Sequence, residues 1–491
     1  MTTATRFGRD LLAIPGLRRL LLWKHNRTVA QTALFAVAVM MVLDGWLGSR
    51  LANQNTATVA AWVHYRGLIV VALLLTANLF CASCPFILSR KPARRLGRPS
   101  RRWPRALRNK WLALGGLAAM LFVYELYDLW ASPWLTAWVI VAYFTVAFVL
   151  EALFTRDSFC KYVCPLGTFN FLYSTVSPLQ IASRSPDTCR SCVGKECING
   201  RWNEAGALVQ QGCQLELYVP TIQSNLDCTF CLDCAKACPH DNVALAVRPP
   251  GDELFRRTWP HRVDLALLAV FAACLGLVNA FAMTPPAYTL QNALAAALGT
   301  RSEPLVLGIV FAVGALALPL ALVLVAGWIN RVQTVAVGGR ARRRTQRVPA
   351  PGRGVPWREV MRYAYSFVPL GFGIWTAHYL FHLLVGPLTI LPAFQTFWIS
   401  VVGQPVFGAP NWTVGAWALP LVAVQGVQMV AVTGGLVAAL AVAWRGAASM
   451  HPTRRGALVE FLPWAVILVA LAATAVWIFL LPMEMRGNVL A

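Results

Sequence analysis

Long apolar runs, repeated along most of the chain, are the feature that most limits how this sequence can fold. The first run covers residues 29–47, and runs of this kind are about long enough to cross the roughly 30 Å hydrocarbon core of a bilayer as helices. Of the 491 residues, 57% are hydrophobic and 13% are charged, whereas about 25% are charged in a soluble domain. The sequence therefore predicts a mainly α-helical, polytopic membrane protein with about nine transmembrane helices.

The predicted spans fall into two groups separated by a polar segment. Four spans lie within residues 29–155, at 29–47, 59–80, 111–130 and 134–154. Five lie within residues 261–491, at 263–283, 304–329, 363–385, 414–443 and 463–481. Residues 156–260, in contrast, are polar and rich in cysteine, and they contain no apolar run of spanning length. This segment is predicted to be an extramembrane domain.

The distribution of basic residues predicts the orientation. The formal net charge is +23, and Lys and Arg cluster in residues 1–28, after the second span, around 156–260, within 331–362 and after the eighth span. All these segments lie on one side if residues 1–28 form a basic cytoplasmic N-terminus, as the positive-inside rule requires. We therefore expect a multi-pass protein of the bacterial inner membrane, with segment 156–260 cytoplasmic and the C-terminus outside. Basic residues placed between spans indicate topology, so we predict no nucleic-acid partner.

Eight of the thirteen cysteines lie between Cys189 and Cys238. The most regular pattern consists of Cys228, Cys231, Cys234 and Cys238, followed by proline. It matches the C-x2-C-x2-C-x3-C-P run of bacterial ferredoxins, in which three thiolates on a tight loop bind one cluster and the fourth binds its neighbour. A zinc site built from C-x2-C pairs is the competing interpretation. Four cysteines that end in Cys-Pro favour iron–sulfur clusters.

A less regular cysteine motif precedes this run. It consists of Cys189, Cys192 and Cys197, with Cys213 after a fifteen-residue insert. Two-cluster ferredoxins exchange their fourth ligands. By that pattern, one [4Fe-4S] cluster would be bound by Cys189, Cys192, Cys197 and Cys238, and the other by Cys228, Cys231, Cys234 and Cys213. The prediction is an inserted dicluster ferredoxin-like domain of the α+β class.

Two further cysteine pairs lie at the predicted inner membrane edge. Cys81 and Cys84 end the second span, Cys160 and Cys164 follow the fourth, and a proline follows each pair. Proline keeps the chain out of a helix at these points. The four thiols could bind a third [4Fe-4S] cluster, act as a redox dithiol, bind copper, or only pack as reduced pairs. Cys274, inside the fifth span, is interpreted as structural.

Cys-Pro pairs on two helices, followed by a dicluster segment, resemble the membrane polyferredoxins of the NapH/NosR/CcoG type. Residues 159–167 give the closest single match, and the resemblance covers about residues 60–245. It implies electron transfer between the quinone pool and a partner oxidoreductase, as a subunit of a respiratory complex with a soluble or membrane electron donor or acceptor. Alternatively, it implies an assembly factor that reduces or delivers copper to a respiratory metalloenzyme. The five spans after residue 260 depart from the family pattern.

Six polar residues fall in the predicted outer half of the spans, where ionisable groups are costly and often functional. They are Asp44, His64, Glu125, Asp128, His378 and His382. The last two are four residues apart and share one helix face. They could form a quinone site, ligate haem b together with His64, or bind copper; equally, the carboxylates could be solvated and the histidines hydrogen-bonded. The sequence contains no catalytic triad, phosphate-binding loop or Rossmann fingerprint.

Overall fold

The protein is largely helical and forms two compact units. The computed structural model describes residues 9–155, 157–338 and 356–483. The first unit comprises the chain up to Leu117, together with Leu129–Thr258 and Gly386–Ala418. The second comprises Ala118–Asp128, Trp259–Val385 and the chain from Leu419 onwards. The cysteine-rich segment is therefore part of the same unit as the first membrane helices.

The helices and strands follow one another in this order. Before the first cysteine motif lie α1 (Pro15–Leu22), α2 (Asn26–Leu47), α3 (Thr56–Thr76), α4 (Leu79–Ala82), α5 (Arg90–Gly97), α6 (Trp111–Leu126), α7 (Pro133–Leu153), α8 (Pro165–Tyr173) and β1 (Leu179–Ser183). Then come α9 (Pro186–Ser191), α10 (Glu196–Asn199), β2 (Arg201–Trp202), β3 (Leu208–Gln210), α11 (Asp233–Ala237), β4 (Val243–Val247) and α12 (Asp252–Arg256). The remainder contains α13 (Val263–Phe281), α14 (Pro285–Leu298), α15 (Glu303–Gln333), α16 (Trp357–Val385), α17 (Ile390–Val402), α18 (Trp412–Gly415), α19 (Leu421–Ala448) and α20 (Arg454–Leu480).

Eight helices among the described residues are long and apolar enough to cross a membrane. They are α2, α3, α7, α13, α15, α16, α19 and α20. The remaining predicted span, the third along the chain at 111–130, is helix α6 with 16 residues. It rises about 24 Å at 1.5 Å per residue and is shorter than the roughly 30 Å hydrocarbon core. The coarse prediction of a helical, membrane-embedded protein agrees with these helices. The predicted orientation, with the N-terminus inside and the C-terminus outside, requires an odd number of membrane crossings. This orientation stays a prediction.

Several helix ends differ from the predicted ones for local reasons. The second span ends at Thr76, because Ala77 adopts a φ of 54°. Helix α19 begins at Leu421, after Pro420, and not at 414. Helix α20 begins about nine residues before its predicted start and includes Pro463, which membrane helices tolerate. Helices α14 and α17 were not predicted, because each is too short to give a spanning signal.

Strands are few and short, and they frame the cysteine motifs. Strand β1 pairs antiparallel with β4, in a register that places Leu179 opposite Val247, and β2 pairs with β3. The N-terminal stretch also docks on β4, because the Val247 backbone N donates to the Arg9 carbonyl oxygen at 2.9 Å and Leu12 is buried. Residues of the predicted basic N-terminus thus complete the layer that carries the cysteines.

Candidate metal centres

Four cysteines from two separate stretches line one cavity in the first unit. Cys189 lies in α9, Cys192 follows its end, Cys197 lies in α10, and Cys238 comes from the later run. The cavity has a volume of about 330 Å³, including the part open to solvent. Lys195, with a left-handed φ of 47°, precedes α10 and turns the chain there. We call these four cysteines the first set.

Asn242 donates hydrogen bonds to two sulfurs of the first set. Its Nδ2 lies 3.1 Å from Cys189 Sγ, and its backbone N lies 3.4 Å from Cys238 Sγ. Ser185 fixes this side chain, since its backbone N donates to Asn242 Oδ1 at 2.8 Å and its carbonyl oxygen accepts from Nδ2 at 2.6 Å. Hydrogen bonds to ligand sulfurs tune iron–sulfur clusters. Asn242 fits such a role, which the cysteine spacing did not predict.

The other four cysteines of the two motifs line a second cavity, of about 350 Å³ including the part open to solvent. Cys228, Cys231 and Cys234 come from the regular run, and Cys213 comes from the stretch before it. Burial raises the pKa of Cys231 to about 11 and also raises the pKa of Cys228 and Cys234. As free thiols these groups would be protonated, and a bound cation is what would favour their thiolate form. We call these four cysteines the second set.

The loop that carries the second set contains strained backbone. Asp227, Phe230 and Leu232 have φ angles of 64°, 56° and 59°, a left-handed conformation that is uncommon for residues with a Cβ atom. Leu232 directly precedes α11. Strain of this kind concentrates at binding sites, where the surrounding structure enforces it. The turns bring three closely spaced cysteines to one cavity.

Each set combines cysteines from both motifs because of the strand pairing. Strand β1 ends just before the first motif and β4 begins just after the second, and the Arg184 backbone N donates to the Asn242 carbonyl oxygen at 3.0 Å. The pairing therefore brings the start of one motif beside the end of the other. Cys238 lies in the first cavity and Cys213 in the second. That these sets bind iron stays a prediction.

Cys81, Cys84, Cys160 and Cys164 form a third group, the juxtamembrane set, just beyond the ends of α3 and α7. Burial raises the pKa of all four thiols, to about 11 for Cys81 and about 12 for Cys164. The negative charge of other thiolates in the set adds to the shift at Cys84, Cys160 and Cys164. The two pairs thus lie close enough to interact electrostatically.

Helix α8 supplies N–H donors to both pairs of the juxtamembrane set. The Gly167 backbone N lies 3.1 Å from Cys164 Sγ, and Asn170 Nδ2 lies 3.3 Å from Cys81 Sγ. Cys164 caps this helix, and proline occupies its first position, where the missing N–H has no cost. One short helix therefore contacts sulfurs that are far apart in sequence.

A buried ion-pair cluster supports the Cys160 side of this set. Arg90 Nε lies 3.1 Å from Glu151 Oε2, Arg94 Nη2 lies 2.7 Å from the same oxygen, and Arg90 also pairs with Asp157. Asp157 Oδ1 accepts from the Cys160 backbone N at 3.3 Å. Burial alone would raise the pKa of Asp157, but the charge and hydrogen bond of Arg90 bring it below its ordinary value. Asp157 therefore stays ionised beneath the thiols.

Apolar packing connects the three sets in succession. One buried cluster, which includes Val219 and Phe230, contains or contacts cysteines of the first and second sets. A second buried cluster, which includes Phe171 and Leu215, contains two cysteines of the juxtamembrane set and contacts Cys213 of the second set. The order of contact is therefore first set, second set, juxtamembrane set.

Basic side chains fix the cysteine-bearing loops to the membrane helices. Arg27, at the start of α2, donates to Asp233 Oδ2 at 2.8 Å and to the Ala82 carbonyl oxygen at 3.1 Å. Lys161 Nζ donates to the Leu215 carbonyl oxygen at 2.8 Å. These contacts tie helix α11 of the second set to the stretch between Cys81 and Cys84.

Within the described part of the chain, His, Cys, Asp and Glu side chains do not form a site that binds one metal ion. Among the described residues, no three His, Cys, Asp or Glu side chains converge on a point where they could hold one metal ion. A [4Fe-4S] cluster makes a different demand, because each cysteine binds a different iron and the four sulfurs stay apart. Four cysteines around a cavity fit that demand.

The predicted outer-half carboxylates make helix-to-helix contacts. Asp44 Oδ2 accepts from the Thr56 backbone N at 2.6 Å and from Thr56 Oγ1 at 2.7 Å, which links the end of α2 to the start of α3. Glu125 Oε1 accepts from Asn279 Nδ2 at 2.7 Å. Asp128 follows α6 with a left-handed φ of 44°. Asp44 and Glu125 thus each bond to another helix, and a functional role for the three carboxylates stays a prediction.

The three predicted histidines belong to different units. Both ring nitrogens of His64, in the first unit, lie 3.1 Å from backbone carbonyl oxygens, those of Val59 and Pro387. These contacts favour a hydrogen-bonding role for His64 over haem ligation. His378 and His382 lie in α16 of the second unit, with their Nε2 atoms 3.3 Å apart.

Comparison with known proteins does not assign the chain to a family. No protein-family model, curated protein or solved structure matches it. The resemblance of residues 60–245 to membrane polyferredoxins therefore stays a prediction from the motifs. Any functional proposal has to rest on the three sets of cysteines and their surroundings.

Proposed function

We propose that this chain is a membrane-bound iron–sulfur protein that transfers electrons between the quinone pool and a partner oxidoreductase. The observation that carries the proposal is the division of eight cysteines between two cavities of about 330 and 350 Å³, with four at each. Four thiolates are the ligand complement of a [4Fe-4S] cluster. Such a cluster, when bound, supplies a one-electron carrier.

The protein's own groups would hold and tune the clusters. The first and second sets would supply the thiolates. Asn242 would orient Cys189 and Cys238 and stabilise their negative charge through its N–H groups. Arg27 and Lys161 would lower the energy of a negatively charged centre nearby, while Asp233 and the Leu215 carbonyl keep both cations in place.

The juxtamembrane set is the proposed third cluster site. Its support is the meeting of two cysteine pairs from distant parts of the chain, with N–H donors from α8 at Cys81 and Cys164. Its packing against the same apolar cluster as Cys213 favours a relay with the second set over an isolated dithiol. The set lies just beyond the ends of α3 and α7, where a lipid-soluble quinone could approach the unit.

The first set is the proposed point of exchange with a partner protein. Val193, directly after Cys192, is 96% exposed, and Cys189 and Cys192 are only partly buried. Electrons would then pass between a docked partner, the first set, the second set and the juxtamembrane set, in the order of their packing. Other subunits of a respiratory complex could dock on the remaining membrane helices.

Iron and acid-labile sulfide, measured per chain on protein purified without oxygen, test the proposal. Three clusters would give about twelve irons, with cubane-type EPR signals that appear on reduction by a quinol. Cys84→Ser should remove about four irons, since one ligand of the juxtamembrane set is lost. Cys274→Ser is the matched control, because Cys274 is a buried cysteine of α13 in the second unit.

The possible results separate the competing interpretations. Zinc with no sulfide would end the proposal. About eight irons, unchanged by Cys84→Ser, would restrict it to two clusters. Copper in place of iron, lost when Cys81 and Cys84 are replaced, would favour the assembly-factor alternative.

A further inference from the structure

Two histidines and a methionine meet in the interior of the second unit. His378 and His382 lie one turn apart on α16, and Met283 follows the end of α13. His378 Nε2 is 3.3 Å from Met283 Sδ and 3.3 Å from His382 Nε2. The three side chains are at most 6% exposed. Three soft or borderline ligand atoms thus lie together, in the unit that contains none of the twelve cysteines of the three sets.

The distances agree with ligands that share one metal ion. Metal–nitrogen bonds of about 2.0 Å at a near-tetrahedral angle place two ligand nitrogens about 3.3 Å apart. Metal–sulfur bonds of about 2.3 Å place sulfur about 3.3 to 3.5 Å from each nitrogen. The observed separations of 3.3 Å from His378 Nε2 to the other two atoms fall in this range.

Hydrogen bonding explains this arrangement less completely. An imidazole nitrogen has one in-plane position, which carries either a hydrogen or a lone pair. If His378 Nε2 carries hydrogen, it must divide one donor between His382 Nε2 and the Met283 sulfur, which is a weak acceptor. If it carries a lone pair, it can accept from His382 but offers nothing to Met283. A metal ion would bind the lone pairs of His378 Nε2, His382 Nε2 and the Met283 sulfur at the same time.

The ligand atoms select the ion. Thioether sulfur is soft and prefers Cu(I), and imidazole also suits copper. All three ligands are neutral, and burying a charge is costly. Because the solvation penalty of an ion rises with the square of its charge, a monovalent ion is the less costly occupant.

We propose that Met283 Sδ, His378 Nε2 and His382 Nε2 form a Cu(I) site. The site is independent of the iron–sulfur clusters proposed above, because it shares no residue with the cysteine sets and lies in the other unit. The sequence suggested the two histidines but not the methionine, since nearly a hundred residues separate Met283 from His378. Met283, His378 and His382 thus form a neutral, buried ligand set.

Anaerobic titration of the full-length purified protein with Cu(I), against a chromophoric chelator, tests the site. Met283→Leu keeps the volume and apolar character of the side chain and should weaken one copper site at least about tenfold, since even second-shell changes cost 10- to 100-fold in metal affinity. His378→Gln combined with His382→Gln should lower the copper bound by one per chain. Copper bound by the cysteines would be the same in the native protein and in these variants, so it cancels when their copper contents are compared.

Matched controls use the same substitutions elsewhere. Met361→Leu, near the opposite end of α16, and His261→Gln, at an exposed histidine, should leave the copper titration unchanged. X-ray absorption at the copper edge should lose one sulfur scatterer in Met283→Leu and two nitrogen scatterers in the histidine variant. Equal copper affinity and equal spectra in Met283→Leu and Met361→Leu would overturn the proposal. Iron and sulfide content, measured on the same samples, reports separately on the cysteine clusters.

Discussion

Arg90 pairs with two buried carboxylates beneath the juxtamembrane set, and its replacement should destabilise the first unit. Its guanidinium lies 3.1 Å from Glu151 Oε2 and also contacts Asp157. The side chains of Arg90, Glu151 and Asp157 are 8%, 5% and 3% exposed. Arg90→Met keeps an unbranched apolar stem but removes the cation that both carboxylates share.

The expected loss of stability depends on which of the two carboxylates is left without a cation. Breaking a buried ion pair by removal of one partner costs about 3–5 kcal/mol. Glu151 keeps Arg94 at 2.7 Å, so the uncompensated charge is mainly that of Asp157. We therefore expect the lower end, about 3 kcal/mol, or about two orders of magnitude in the unfolding equilibrium at 1.4 kcal/mol per factor of ten.

The pH dependence gives a second, independent readout. In the native protein the pKa of Asp157 is lowered. Its ionised form therefore stabilises the fold at pH values above the unfolded pKa of about 3.9, and this stabilisation is lost only as the pH falls through the lowered pKa. In Arg90→Met, burial becomes the dominant influence and raises the pKa of Asp157. Stability is then lost as the pH rises through that raised pKa. The penalty of the variant should be smaller at pH 5 than at pH 7.5.

Unfolding in mixed micelles, followed by tryptophan fluorescence and circular dichroism, would measure both effects. Arg95→Met is the control, because Arg95 lies on the same helix α5 but is exposed; its change should stay within about 0.5 kcal/mol. If both variants lost the same stability, or if the Arg90→Met penalty did not depend on pH, the assigned role of Arg90 would be refuted.

Three further predictions concern single substitutions. Gly435→Ala should cost about 1–3 kcal/mol in thermal unfolding, because the new Cβ would lie 2.7 Å from the Pro369 carbonyl oxygen, whereas Gly434→Ala meets nothing within 4 Å and should be neutral or stabilising. Asn242→Ala should shift one cluster potential to more negative values in an EPR redox titration, since it removes a donor to a ligand sulfur that stabilises the reduced state. Cys274→Ala should leave the iron content per chain unchanged.

Features encoded within a short stretch of sequence could be predicted. Cysteine spacings such as 228–238 depend on local loop geometry, so the regular motif could be recognised in the sequence, whereas the grouping of its cysteines with those of the earlier motif depends on the pairing of β1 with β4. Long apolar helices could be anticipated for the same reason, since each one is a continuous hydrophobic run. Helix α6 was predicted too long because the apolar run continues past Leu126, where Asp128 adopts a left-handed φ and the helix has ended.

Features that depend on distant contacts could not be predicted. The contact of Arg90 with Asp157 spans 67 residues, and that of Asn170 with Cys81 spans 89. No periodicity or motif links such positions in one sequence. Met283 was missed because a methionine in an apolar run cannot be distinguished by sequence from a residue that only packs in the core. The short helices α14 and α17 were missed because neither is long enough to give a spanning signal.

The core around the second set shows why the cysteine segment is not an independent domain. Leu12 from the N-terminus and Ala77 from the end of α3 belong to the same buried cluster as Cys228, and Asn78 Nδ2 donates to the Cys228 carbonyl oxygen at 3.2 Å. The loop that would bind a cluster therefore packs on the membrane helices, and cofactor binding should be coupled to folding of the whole first unit. A soluble ferredoxin carries electrons by diffusing between its partners. Under the function proposed above, a cluster-binding layer fixed in this way would not diffuse, so its partners would have to come to it at the first set and at the membrane.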